Sequence, residues 1–313
     1  MATPDLTISA RRGTPRSRRR PWGRSAADNI TGWLFVGPAT VVVLGLSIFP
    51  AIWSFILSFQ KWDGFQPAEF VGGDNYAELA ADDQFWDAVV HTGVYTLLFV
   101  PASVLAGLFL AVALNRKIRF IGFYRTAIFV PFVASAAATG ILASYLFNPQ
   151  FGLMNNVLRV LGLPQQGWLE DEHQAMIVIA IMSLWGQAAF TTVIYLAALQ
   201  DVPDELLEAA RLDGASPWQA FWGIIWPQLS PVTVFATVWQ TVGALQLFDL
   251  VYTTTRGGPL EVTQTVVYLL YEKAFRSLEF GYGSAIAYVL FGATLLITIF
   301  VVIYSRRRGL EAF

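Results

Sequence analysis

AMIVIAIMSLWGQAAFTTVIYLAAL, residues 175–199, runs 25 positions without Asp, Glu, Lys or Arg. A helix needs about 20 such residues to cross a bilayer core about 30 Å thick. A single charge at its centre costs about 2.5–3.5 kcal/mol on insertion. The stretch therefore reads as a membrane span. Working outward from it, five more charge-free stretches of the same kind follow at 31–59, 89–114, 126–147, 231–248 and 281–304. Soluble helices seldom run so far without charge on some face. Of the 313 residues, 55% are hydrophobic and 13% charged, too little charge to cover a soluble domain. The expected class is all-α, a polytopic membrane protein with six transmembrane helices.

Orientation follows from the basic residues. With the N-terminus inside, the inner segments hold Arg11–Arg24 (seven), Arg116, Lys117, Arg119, Arg125, Arg211 and Arg306–Arg308, fifteen of the 20. The outer segments hold Lys61, Arg159, Arg256, Lys273 and Arg276. The positive-inside rule thus places both termini in the cytoplasm. Residues 1–30 read as a basic, disordered cytoplasmic tail beside anionic headgroups. Residues 31–305 form the transmembrane domain, and 306–313 a second cytoplasmic tail. The apolar stretch after the basic run is too long for a signal-peptide core, so it reads as an uncleaved first span.

The inner loop at 201–230 is too long for a turn and has its own punctuation. Pro203 suits a first helical turn, and Asp204 and Glu205 complement the positive end of the helix dipole. Gly214 stops that helix in a left-handed cap. Ser216 and Pro217 then read as an N-cap and first position of a second short helix, over 218–225, which Pro227 ends. The pair forms an elbow projecting into the cytoplasm. Its five acids and single Arg211 disfavour a seat on the anionic inner leaflet and favour docking to another protein. Leu206, Ala209 and Ala210 share a face where small side chains permit close approach, and Glu208 offers a carboxylate beside them.

EAARLDGA at 208–215, followed after eight residues by IIWP at 224–227, closely resembles the EAA loop of binding-protein-dependent ABC importers. Trp226 stands where that family usually has Leu. FVGGDNY at 70–76, NPQFGLMN at 148–155 and the Gly257-Gly258-Pro259 turn followed by Thr263 look like elements of the carbohydrate-importing branch, the maltose and glycerol-3-phosphate permease type. The resemblance covers nearly all the chain after residue 30. It implies the type I ABC importer permease fold. It also implies that Glu208, Ala209, Ala210, Asp213, Gly214 and Ala215 dock into a separate ATP-binding subunit, present as a pair. A second permease subunit, in a heterodimer, and an extracytoplasmic sugar-binding protein complete the implied assembly. This chain carries no Gly-x-x-x-x-Gly-Lys-Ser/Thr phosphate loop. No cofactor is expected on it; ATP and magnesium belong to the partner ATPase, and the chain is expected to be non-catalytic.

The resemblance places sugar-lining positions on Phe132 in span three, on Ser183, Gly186, Gln187 and Phe190 in span four, and on Gln240, Gly243, Ala244 and Leu247 in span five. Gln187 and Gln240 can hydrogen-bond hydroxyls, and Phe132 and Phe190 can stack on a ring. Polar groups inside spans tend to face the bundle interior, but each glutamine could equally serve an interhelical hydrogen bond worth about 0.6 kcal/mol. Trp185 and Trp239 read as packing residues. With no cysteine and only His91 and His173, far apart, no metal site or thiol chemistry is expected. Nucleic acid is not an expected partner; the lipid bilayer is. The alternative is an ion- or proton-coupled secondary sugar transporter. It would need ionisable residues in the spans, and only His91, near an outer end, lies in one. A membrane-embedded enzyme would need convergent titratable residues, and none converge.

Overall fold

The computed structural model describes residues 26–116 and 119–307; most of the basic N-terminal tail, Lys117 and the last six residues lie outside them. The chain divides into two units, 1–53 and 54–313. From the first, α1 (Ala26–Val43) leads through a π-helical turn at Leu44–Ile48 into α2 (Phe49–Leu57), within which the boundary between the units falls. The helix begins at Ala26, ahead of the Thr31 boundary expected for the first span. Gly32–Leu57 is long and apolar enough to cross a membrane.

In the second unit, α2 is followed by two short antiparallel strands, β1 (Gln60–Lys61) and β2 (Glu69–Phe70), in register Gln60 to Phe70. Helix α3 (Asp74–Ala81) follows, and buried Asn75 ties it back by donating to the Ser58 and Gln60 carbonyls. Helix α4 (Asp83–Leu114) is longer than the span expected from 89. Asp82 caps it, its carboxylate accepting from the Gln84 N–H.

Span three is not the single helix expected at 126–147. It is broken into α5 (Ile121–Val133) and α6 (Ala136–Leu146), which meet at 100°. Two local causes coincide. Pro131 supplies no N–H to the last turn of α5. Ser135, in extended conformation, turns its hydroxyl to the Ala138 N–H and starts a new helix. Hydropathy is blind to this break, because both halves are equally apolar. Among the described residues, five helices can cross a membrane, or up to six if the bent pair counts as one.

At the far end from the elbow, α7 (Leu153–Val160) and a 3₁₀ turn at Trp168–Glu170 precede α8 (Ala175–Gln200). Helix α8 lies along α4. Gly107 permits the contact, since a Cβ there would overlap Thr191.

The elbow begins as read, with α9 (Asp204–Leu212). Gly214, at φ +80°, closes it as a Schellman cap: its N–H reaches the Arg211 carbonyl and the Ala215 N–H the Ala210 carbonyl. Ser216 and Gln219 form a reciprocal capping box at α10 (Pro217–Ala220). The expected stop at Pro227 is overturned. The chain passes through a π-helical turn at Phe221–Ile225 into α11 (Trp226–Leu245), one span-length helix from Pro217 to Leu245. Pro227 lies in the first turn after that widened stretch, where its missing N–H does not end the helix.

Beyond α11 come α12 (Asp249–Thr253), α13 (Val266–Tyr271) with a π-helical turn at Glu272–Arg276, and α14 (Phe280–Arg307). Thr263 fastens the glycine turn between α12 and α13. Its N–H reaches the Gly257 carbonyl and its hydroxyl the Gly258 carbonyl, beside a cis Gly258–Pro259 bond.

Packing concentrates where α4, α8 and α11 meet α12 and α13, around Tyr95, Phe99, Ile179, Val251 and Tyr268. Leu97, Phe109, Phe291, Leu296 and Phe300 point outward, as side chains facing hydrocarbon do.

Candidate functional site

A cavity of ≈ 220 Å³ opens among α4, the α5–α6 break, α8, α11 and the start of α12. Each wall has a local cause. The break at Ala134 and Ser135 swings α6 away from α5 and leaves Phe132, Ala134 and Thr139 on the rim. Gly186 and Gly243, without side chains, leave room on α8 and α11. Helix α11 unwinds after Leu245, which brings Gln246, Phe248 and Asp249 to the lining.

Of the nine positions expected to meet substrate, Phe132, Ser183, Gly186, Gln187, Gln240, Gly243 and Leu247 line this cavity. Phe190 and Ala244 do not. Phe190 stacks on both Phe132 and Trp239, with centroids 6.2 and 5.2 Å away, and so braces the aromatic wall. Ala244 is buried in the packing with Tyr95, Phe99 and Val251.

The polar members differ in what they already hold. Gln240, 3% exposed, donates from Nε2 to Ser103 Oγ at 2.8 Å and Thr191 Oγ1 at 2.7 Å. This knot joins α4, α8 and α11. Ser183 donates to the Ile179 carbonyl and accepts from the Tyr95 hydroxyl at 2.8 Å. Gln187 and Gln246 make no side-chain hydrogen bond among the described residues, so their amides are available to a solute. Tyr95, Phe99, Trp239, Gln246 and Asp249 also line the cavity and escaped the sequence reading. In sequence Trp239 reads as packing, and Asp249 falls just past the charge-free stretch 231–248. A tryptophan one turn from Gly243 was the available signal.

The second cluster is the elbow, which joins α8 to α11 and is different in kind. No residue of α9 is buried. Glu208, Ala209, Asp213 and Gly214 are exposed, with Ala210 and Ala215 half-buried. Leu212 is 89% exposed and Trp218 70%. Leu206, Leu212, Trp218 and Trp222 thus present apolar surface that the described chain leaves uncovered, set among acids.

Residues 77–309 match the family described as the binding-protein-dependent transport system inner membrane component. The chain belongs to this family. A probable ABC transporter permease of Pyrococcus horikoshii is 36% identical over 85% of this chain and 92% of its own. The lactose transport system permease of Rhizobium radiobacter is 36% identical over 84% of this chain and 89% of its own. Among solved structures, a chain of a bacterial alginate ABC transporter superposes with a TM-score of 0.79 at 20% identity, covering 90% of this chain and 96% of that one. The fold is therefore that of an ABC transporter permease, and the protein is a multi-pass membrane permease. The family assignment leaves a gradient-driven carrier without support.

Proposed function

We propose that this chain is one permease subunit of an ATP-driven sugar importer, forming half of the solute pathway through the cavity between α4, α8 and α11. The observation that carries the reading is the makeup of that cavity. An aromatic wall of Phe132 and Trp239 stands beside the unengaged amides of Gln187 and Gln246. Rings stack on the apolar faces of sugars, and amides both donate to and accept from hydroxyls. The lactose permease of Rhizobium radiobacter supports the solute class.

The elbow of α9 and α10 is the site for an ATPase subunit. Its exposed leucines, tryptophans and small residues suit insertion into a groove. ATP and magnesium belong to that partner pair, so no cofactor is assigned to this chain and it is non-catalytic. A second, different permease subunit supplies the other half of the pathway, and a sugar-binding protein docks at the opposite end from the elbow. The excess of arginine and lysine on the elbow side puts both termini in the cytoplasm.

The test is affinity purification from the native membrane, wild type beside Gly214→Asp, with co-purifying proteins identified. Recovery of an ATP-binding subunit with wild type and its loss in the variant is the expected result. A chain recovered alone that takes up sugar without ATP after reconstitution would overturn the reading.

A further inference from the structure

Among the described residues, Asp249 is the single charged one in the cavity lining, and no Lys, Arg or His accompanies it. It opens the five-residue α12 and is exposed. Among the described residues its carboxylate accepts no hydrogen bond and forms no ion pair; the Thr253 hydroxyl bonds to its backbone carbonyl, not to its side chain. Phe248 precedes it in the chain, and Gln246, Trp239 and Gln187 line the same cavity. A carboxylate left unpaired beside rings and amides is costly to dehydrate. A solute that brings hydroxyl donors would relieve that cost.

We infer that Asp249 is a solute-contacting, specificity-determining residue, accepting a pair of sugar hydroxyls and making the pathway selective for neutral or amino-bearing sugars over acidic ones. The inference rests on the sugar-permease reading and deepens it. Two carboxylate oxygens present acceptors at a spacing that suits neighbouring hydroxyls, and hydrogen bonds to a charged acceptor are the stronger kind. An acidic sugar would instead bring a second negative charge into a site without a cation, and like charges at contact range repel. A purely local role is the competing explanation: a negative residue in the first turn of a helix complements its dipole. Such a role would affect folding and leave discrimination between neutral and acidic sugars unchanged.

The complete importer, with its partner permease, ATPase pair and binding protein, is reconstituted in liposomes. ATP-dependent uptake of labelled lactose, maltose and methyl glucoside is measured for wild type, Asp249→Asn and Asp249→Glu. For the sugar carried, inhibition by its acidic counterpart (lactobionate, maltobionate or methyl glucuronide) is measured alongside. Asp249→Asn should raise KM about tenfold and make the acid a better inhibitor relative to the sugar by a similar factor. Asp249→Glu should keep the exclusion of the acid. The binding protein is common to all variants, so its own preference cancels in the comparison. Unchanged KM and unchanged relative inhibition in Asp249→Asn, or wild-type uptake of the acid as fast as the sugar, would overturn the role of Asp249 while leaving the sugar permease standing. Uptake of none of the three sugars with ATP supplied would sink the sugar reading, and this inference with it.

Discussion

Gln240 commits its amide hydrogens to Ser103 and Thr191, whereas Gln187, on the same cavity, makes no side-chain hydrogen bond among the described residues. Their substitutions should therefore separate. Gln187→Ala should raise the sugar KM about three- to tenfold, the loss of one ordinary hydrogen bond, with no change in thermal stability. Gln240→Leu should lower stability by about 1–2 kcal/mol, because two buried hydroxyls lose a shared donor inside the bundle. Uptake kinetics and melting in detergent, measured on both variants, check the division; equal KM effects would deny it. Sequence reading named both glutamines but could not rank them. The residues that occupy Gln240 lie 137 and 49 positions away. Only a fold brings Ser103, Thr191 and Gln240 together. Asp249 was hidden for a related reason: a helix that unwinds at its end carries a charge back to the cavity, and periodicity ends where the helix does.

Helix starts and stops were legible wherever a side chain or a glycine dictates them locally. Gly214 and the Ser216–Gln219 capping box stand where the residues put them. Breaks inside apolar stretches were not. Pro131 and Pro227 carry the same chemistry, yet a sharp bend follows one and the helix runs on past the other. The difference lies in Ser135, which offers a competing cap, and in the π-helical turn before Pro227. The broken span matters because α6 packs against α12, which carries Asp249. Gly140 is the point of contact: a Cβ there would overlap the Thr253 hydroxyl. Gly140→Ala should cost about 1–3 kcal/mol by overpacking and raise the sugar KM through displaced α12. A variant with wild-type melting and kinetics would show that α12 is positioned by other contacts. The far-end loop has a similar anchor. Buried Asn155 donates to the Pro149 and Gln166 carbonyls and accepts from the Gln166 N–H and the Trp168 indole. Asn155→Ala leaves those backbone groups without a partner, and should loosen 149–168 enough for amide exchange there to accelerate while α4 and α8 stay protected.

The absence of cysteine from all 313 residues makes the orientation of the whole molecule directly measurable, since any introduced thiol reports without background. Val160 at the end of α7 is 84% exposed and Leu212 at the end of α9 is 89% exposed, so a maleimide can reach either position in the chain alone. With six spans and the N-terminus inside, fifteen of the 20 basic residues fall in the segments expected on the same side as the 201–230 loop, and the positive-inside rule then sends Leu212 to the cytoplasm and Val160 outside. In intact cells, a membrane-impermeant maleimide should label Val160→Cys and leave Leu212→Cys untouched; opening the membrane should expose the second. Co-expression of the ATPase subunits should then protect Leu212→Cys again, because docking on the elbow covers the apolar end of α9. Labelling of Leu212→Cys from outside would invert the molecule and remove the elbow from contact with any cytoplasmic ATPase. Correct sidedness without protection would keep the topology and move the docking surface off α9.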